Sequence, residues 1–529
     1  MPKNIQIEEH HIPEVLHNIL NMGKSNNRSN QCNPNHAKSG PENNSSFIYC
    51  LVINSYYSAK KIATLTLNVR FRTIHTSMMR TKEQTNVKQG TIIHTEKPFV
   101  HILNSKLRSE RCEHCFHNKK LLKCSGCQYV HYCGRECQKD SWSIHKYECA
   151  NLRRVSPRIV PDAARLLGRL IIKLRNGGDM QKGFYTQTKF RKFKDLMSHY
   201  SNIKEDNVRM EHFTSLYGVL HEYLQDTPLP NTAELLGIYG RMCINGFTIL
   251  DAEMTSIGTG IYLGASVIDH SCKPNALAVF EGTTIYIRTT EALAVFDWSQ
   301  IFISYTDVLN TPEDRQKELL ATYYFVCQCQ LCLDNSLTRH MHSATCPNTV
   351  CSALITMTTD RETDVIRCDV CAENITKDFI RNYRDAIEYT EIHLQDMRNM
   401  AYLDICRMCL QKQQGFLSSI NLMHVKTLDL AFESSIQMGL WDDAEEFGIR
   451  MIPGFRKYYG DFHPLLGLLY LKIGKILLYK KKSLPALEYL QEAQIILSVT
   501  HGPAHSLYKE SFVPLMRQVQ MECSLSNNN

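Results

Sequence analysis

The sequence predicts an α+β protein. A β-rich core is split by a zinc module and a helical insert, then followed by a cysteine-rich segment and an all-helical tail. Three observations carry this expectation. Eight candidate zinc ligands crowd into residues 112–149. Short β-rich segments separated by Gly, Pro and Asp turns fill residues 247–305. Apolar residues recur at helical spacing in 160–245 and again over most of the text beyond 376.

A chain of 529 residues exceeds what one hydrophobic core normally holds, so several domains are expected. The hydrophobic fraction of 43% is ordinary for globular proteins. No apolar run reaches the length of a bilayer span, and the stretch 47–69 is broken by Asn54, Lys60 and Lys61. The first residues lack the basic and apolar pattern of a secretory signal. The expected location is therefore nucleus and cytoplasm, with no membrane partner. Twenty-one cysteines in a reducing compartment point to metal rather than disulfides. Thiolate–zinc sites are themselves anionic. Three such sites would lower the formal charge of +7 to about +2, so the global charge gives no argument for nucleic acid.

Along the chain, residues 1–45 are rich in Asn, Ser, His and Lys without periodicity and read as disordered. Residues 62–75 alternate like a strand. TIIHTEKPFVHIL at 91–103 predicts one or two short strands around Pro98. Pro161 and Asp162 open the helical text ARLLGRLIIKL. ALAVF, TIYIRT and IFISY read as strands. In the tail, GDFH at 460–463 returns as GPAH at 502–505. Ala444/Ala486 and Phe447/Tyr489 share that 42-residue offset, which suggests tetratricopeptide-like helix pairs.

The zinc module reads Cys112-x2-Cys115-x8-Cys124-x2-Cys127-x5-Cys133-x3-Cys137-x7-His145-x3-Cys149. Seven cysteines and one histidine suit two tetrahedral zincs. The i, i+4 pairs Cys133/Cys137 and His145/Cys149 can each present two ligands from one helical face. So short a segment cannot bury a core, and metal must supply its folding energy. Spacing alone leaves the pairing of ligands open. Seven Lys/Arg against four Asp/Glu between Arg111 and Cys149 make a modest basic face, more often a solvated surface than a nucleic-acid site.

This spacing resembles the MYND finger. Downstream, NGFTILDAEMTSIGTGIYLGASVIDHSCKPNALAVF, IFISYTDVL and YYFVCQCQLC occur in that order. Together with the finger they resemble the SET- and MYND-domain protein-lysine methyltransferases, from about Thr91 to the C-terminus. The resemblance implies a poorly defined segment (1–70), the N-terminal part of a SET domain (71–110), a MYND finger (111–149), a helical SET insert (150–245), the core SET domain (246–310), a post-SET zinc-binding segment (311–375) and a tetratricopeptide-like helical domain (376–529). It implies interleaved zincs: Cys112, Cys115, Cys133 and Cys137 on one, Cys124, Cys127, His145 and Cys149 on the other. A third zinc would use Cys272, Cys327, Cys329 and Cys332, tying the DHSC motif to the post-SET segment.

The implied activity is methyl transfer from S-adenosylmethionine to lysines of histones or other proteins. A neutral lysine amine must be aligned, desolvated and deprotonated. By resemblance Phe247, Tyr305 and Tyr323 line the lysine channel, and the Tyr305 hydroxyl orients the amine. Asn245, Ser266, Asp269, His270 and Phe325 are the implied cofactor contacts. The finger would recruit proteins through proline-rich segments, nucleic acid would bind weakly at most, and a monomer is expected. The alternative is a catalytically silent adaptor whose finger and helical tail bind partners.

The chain departs from the family at Asp269, where the family has Asn, and at Met78–Arg80 (MMR), where a GxG loop would fall. VFDWSQ at 295–300 replaces a shorter turn with Gly. Cys346, Cys351, Cys368 and Cys371 form a further set that suits a fourth zinc. Cys406 and Cys409 lie in helical text and read as core cysteines.

Overall fold

A computed structural model describes residues 86–225, 227–357, 367–397 and 402–526. The expectations for 1–45, 62–75 and Met78–Arg80 lie outside the described residues.

The text around Pro98 folds as two strands, β1 (Ile92–Glu96) and β2 (Val100–Leu103). Proline has no N–H for a ladder, so pairing stops there and resumes beyond it. The finger contributes a two-residue ladder, β3 (Leu122–Lys123) with β4 (His131–Tyr132), and the helix α1 (Arg135–Val155). In the insert, α2 (Asp162–Arg175) begins after Pro161 and buries Ala164, Leu166, Leu167, Leu170, Ile171 and Ile172. A hairpin, β5 (Gly183–Phe184) and β6 (Phe190–Arg191), then interrupts the helical text expected for 160–245. Its sequence KGFYTQTKF carries no helical stripe. Helices α3 (Tyr200–Glu205), α4 (Asn207–Tyr223) and α5 (Thr232–Asn245) complete the insert. Asp206 and Asn231 cap α4 and α5 by accepting from the backbone N–H of Arg209 and Glu234.

The core strands follow: β7 (Gly246–Leu250), β8 (Ser256–Ile261), β9 (Asp269–His270), β10 (Ala276–Glu281), β11 (Thr284–Thr289) and β12 (Phe302–Ile303). They form two antiparallel sheets ordered β1–β11–β10 and β2–β8–β7, while β9 pairs in parallel with β12. Ile249, Ile257, Ile285 and Ile287 fill the space between the sheets. The ring of Phe116 from the finger lies so close to β8 that a Cβ on Gly258 would stand 2.5 Å from it.

The cysteine-rich segment begins with α6 (Pro312–Tyr323), capped by Thr311, and continues through α7 (Gln330–Leu333) and α8 (Asn335–Met341) to the hairpin β13 (Ser343–Thr345) and β14 (Leu354–Thr356). Seven helices make the described part of the tail: α9 (Lys377–Asp396), α10 (Leu403–Gln413), α11 (Leu422–Met438), α12 (Trp441–Tyr459), α13 (Pro464–Tyr479), α14 (Ser483–Thr500) and α15 (Val513–Ser526). Cys406 and Cys409 are fully buried there. The 42-residue repeat has a shared geometry. Gly460 and Gly502 end α12 and α14 with φ of +77° and +79°. His463 and His505 each accept through Nδ1 from the N–H two residues on. His505 must then carry its proton on Nε2, which donates to Phe280 O at 2.9 Å and fastens the tail to β10. Arg288 of β11 reinforces the join by donating to Val499 O at 3.0 Å. Among the described residues no helix is long and apolar enough to cross a membrane.

Candidate active site and metal centres

Four sets of ligand atoms converge, each within a span of 4.8 Å: Cys112/Cys115/Cys133/Cys137, Cys124/Cys127/His145/Cys149, Cys272/Cys327/Cys329/Cys332 and Cys346/Cys351/Cys368/Cys371. The structure thus brings the finger ligands together in the interleaved pairing that spacing left open. A tetrahedral Zn–S bond of about 2.3 Å puts neighbouring sulfurs about 3.8 Å apart. The observed separations lie within about 0.3 Å of that value: Cys115–Cys133 3.6 Å, Cys124–Cys149 3.8 Å, Cys272–Cys332 3.5 Å and Cys351–Cys368 3.7 Å. A disulfide would need about 2.05 Å. The donor sets and distances therefore fit zinc.

The finger is locked to the insert by buried charge. His145 presents Nε2 to its sulfur partners and bonds Glu148 Oε1 through Nδ1 at 3.1 Å. A carboxylate behind a ligating histidine fixes its tautomer and orientation. Glu148 also meets Arg165 at 2.8 Å, Arg169 at 2.6 Å and the Tyr223 hydroxyl at 3.2 Å. Glu113, between Cys112 and Cys115, takes the same two guanidinium groups at 3.0 and 2.7 Å. Burial alone would raise the Glu148 carboxyl, but the two arginines and His145 overcome it and hold it well below the carboxylate range.

The candidate active site surrounds the third metal set. Four rings meet there: His270–Tyr305 at 5.3 Å, His270–Phe325 at 5.8 Å, Tyr305–Tyr323 at 5.1 Å and Tyr323–Phe325 at 6.4 Å between centroids. Tyr305, Tyr323 and Phe325 pack on a small buried cluster that contains Cys272 and Cys327. His270 Nδ1 accepts from the Tyr305 N–H at 2.9 Å, and Nε2 lies 3.2 Å from Cys272 Sγ. A backbone N–H only donates, so the His270 proton sits on Nε2 and points at the sulfur. Burial lowers the pKa of this imidazole to about 4, so it is neutral. The Tyr305 hydroxyl donates to Ile268 O. Burial first, then Asp269 and Tyr323, push that hydroxyl above its usual range, while Arg191 opposes them. Tyr323 is pushed up to about 12, mainly by burial and next by Glu318.

The remaining expected residues sit at the edges of this cluster. Phe247 packs against Tyr262 at 5.6 Å and shares the core under Tyr305. Asn245 spends its amide N–H groups on Met197 O and Arg241 O at 2.8 and 2.9 Å, which leaves Oδ1 as a free acceptor. The Ser266 hydroxyl donates to Leu263 O at 2.8 Å, within its own turn. Asp269 is exposed.

Three supporting residues escaped the sequence reading. Glu96 of β1 accepts from the N–H groups of Gly264 and Ala265 at 3.0 and 2.9 Å and so holds the turn that precedes Ser266. Arg191 of β6 donates to Ser266 O at 2.7 Å. Tyr459 of α12 donates to Asp307 Oδ1 at 3.0 Å and ties the tail to the loop after Tyr305. Each pairs with a residue more than 70 positions away, and no local motif signals such a pairing.

A finger of two interleaved metal-ligand sets is joined to a split antiparallel core with an aromatic cluster at a third thiolate set, the architecture expected of a MYND-containing α+β protein. Residues 112–149 match the family model described as the MYND finger. Over 80% of this chain and 92% of the relative, the sequence is 29% identical to "Histone-lysine N-methyltransferase SMYD3" of Homo sapiens. It is 25% identical to "N-lysine methyltransferase SMYD2-A" of Danio rerio, covering 80% of this chain and 92% of the relative. To "Histone-lysine N-methyltransferase ASHR1" of Arabidopsis thaliana the identity is 26%, covering 80% and 89%. The finger match and these relatives over 80% of the chain make it similar to the SET- and MYND-domain (SMYD) protein-lysine methyltransferases and support a methyltransferase assignment.

Proposed function

We propose that the protein transfers a methyl group from S-adenosylmethionine to lysine side chains of histones or other proteins. The observation that carries this reading is the ring cluster of Tyr305, Tyr323, His270 and Phe325 built on the Cys272–Cys327 metal set. The cofactor supplies an electrophilic methyl on a cationic sulfonium. The groups at its proposed seat suit such a ligand: a free carbonyl acceptor on Asn245, the Asp269 carboxylate for an ammonium, and the ring of Phe325 for an adenine. Both His270 nitrogens are engaged, so only its backbone remains for the cofactor.

Each wall residue has a task. The rings of Phe247, Tyr305 and Tyr323 desolvate the substrate lysine, which disfavours its ammonium form. With its proton committed to Ile268 O, the Tyr305 hydroxyl offers lone pairs that orient the amine. Its raised pKa keeps it a neutral phenol, so it positions the amine without deprotonating it. Holding the amine in line with the methyl supplies the entropic part of the rate. Cys272, Cys327, Cys329 and Cys332 would hold a zinc, and Cys272 Sγ, so placed, would orient His270 and through it the backbone of Tyr305.

The finger would recruit proteins, including proline-rich segments, and the protein would act as a monomer in nucleus and cytoplasm. Asp269 favours a second reading, a silent adaptor, because a carboxylate accepts hydrogen bonds but cannot donate the one an Asn side chain gives. Calorimetry with S-adenosylmethionine separates the two. One-to-one binding is expected of the enzyme; no heat at millimolar cofactor would leave only the adaptor.

A further inference from the structure

The hairpin β5–β6 has an outer face that the proposed reaction does not use. Residues 180–194 (MQKGFYTQTKFRKFK) hold five cations and no Asp or Glu. Phe184 and Phe190 stand directly opposite in register, with ring centroids 5.4 Å apart. Both remain partly in water, 49% and 37% exposed. Lys182 lies over the Phe190 ring at 4.2 Å. Lys182, Lys189 and Lys194 are exposed, and none of them has an ion-pair partner among the described residues. Among the described residues the Lys192 amine reaches Met180 Sδ alone, at 3.7 Å.

The other side of the hairpin is fixed in place. Gly183 packs so closely on the core that a Cβ there would stand 2.3 Å from Leu263 Cβ. Arg191 holds Ser266 O, and the Tyr185 ring meets Trp298 edge-on at 5.9 Å. A rigid platform therefore presents flat aromatic faces inside a field of unpaired positive charge.

We infer that this face binds single-stranded nucleic acid, with Lys182, Lys189, Lys192 and Lys194 meeting phosphates and Phe184 and Phe190 stacking on bases. Charge complementarity selects a polyanion, and exposed rings select one whose bases are free to stack. A duplex hides its base faces. A membrane-inserting loop would carry its apolar residues at the tip, but this tip is Thr186–Gln187–Thr188 and the rings sit at the base. The inference does not depend on the catalytic reading: Tyr305→Phe should leave this binding unchanged.

The test is fluorescence anisotropy of the full, zinc-loaded chain with a labelled oligothymidylate of about 12 nucleotides. Parallel arms use the matching duplex, heparin and phosphatidylserine vesicles. Binding should weaken with salt along a log–log slope of about −2 to −3, as three to four phosphate contacts on a single strand give. Replacing both rings (Phe184→Ala with Phe190→Ala) should weaken the single strand about tenfold or more, at unchanged slope, while heparin binding holds. Replacing two of the four lysines (Lys182→Ser with Lys189→Ser) should weaken both ligands and flatten the slope; these side chains are exposed, so this variant keeps the test valid if the ring variant misfolds. No binding at low salt, duplex or vesicle binding as tight as single-strand binding, or indifference to both variants would overturn the inference.

Discussion

The finger at 112–149 and the aromatic site around Tyr305 both rest on sulfur clusters, but the clusters do different work. In the finger, eight ligands from one short segment fold that segment, and the result is docked by the buried set Glu113, Glu148, Arg165 and Arg169. At Cys272 the metal set joins two segments 55 residues apart and holds a histidine that in turn holds the backbone of Tyr305. The two sets in the finger build a module. The single set at Cys272 braces the proposed reaction site. Losing the first should therefore cost partners and stability, whereas losing the second should cost chemistry.

The largest effect sharpens that contrast at the chemical end. Tyr305→Phe keeps the ring and removes the hydroxyl. Methyl transfer should fall about 100-fold or more with zinc content and melting temperature nearly unchanged. Next, Cys272→Ser should remove one zinc and lower transfer about 10–100-fold. Cys133→Ser should strip zinc from the finger yet leave transfer to a free peptide within a few-fold. Equal kinetic losses from the two cysteines, read side by side with metal analysis, would break the comparison.

Glu148→Leu leaves two guanidinium groups buried without one of their carboxylates. Such a change costs about 3–5 kcal/mol, to be read as a lower unfolding midpoint in denaturant. A smaller effect is pH-dependent. Burial, with Asp307 and Asp314 adding, raises the Glu318 carboxyl to about 7, against a hydrogen bond from Thr306 that opposes the rise. The folded state then holds a proton that the unfolded state has already lost, so this group destabilises increasingly as pH climbs from about 4.5 to 7. Glu318→Gln should therefore raise the melting temperature more at pH 8 than at pH 6, and equal gains at both would refute the assignment. Least of all, Asp269→Asn should change the dissociation constant for S-adenosylmethionine about 2–10-fold, as one exchanged hydrogen bond does.

The same contrast explains what was legible in the sequence. The finger could be read because its ligands are close in sequence and metal geometry dictates their spacing. The strands β10 and β11, read from ALAVF and TIYIRT, and the helix start at Pro161 were local signals of the same kind. The 42-residue repeat told of paired helices because His463 and His505 perform one capping task twice. Glu96, Arg191 and Tyr459 could not be read, since each acts on a partner brought near only by the fold. The hairpin at 183–191 was hidden for another reason: two-residue strands are too short to set a period against the helical text on either side.

The most direct measurement is transfer of labelled methyl from S-adenosylmethionine to core histones and to proteins of a cell lysate. Wild type and Tyr305→Phe would run side by side, with zinc counted on the same samples. Label on protein lysines from the wild type, reduced to background by the substitution at equal zinc content, is the predicted result. Equal labelling by both proteins, or none by either, would contradict the account.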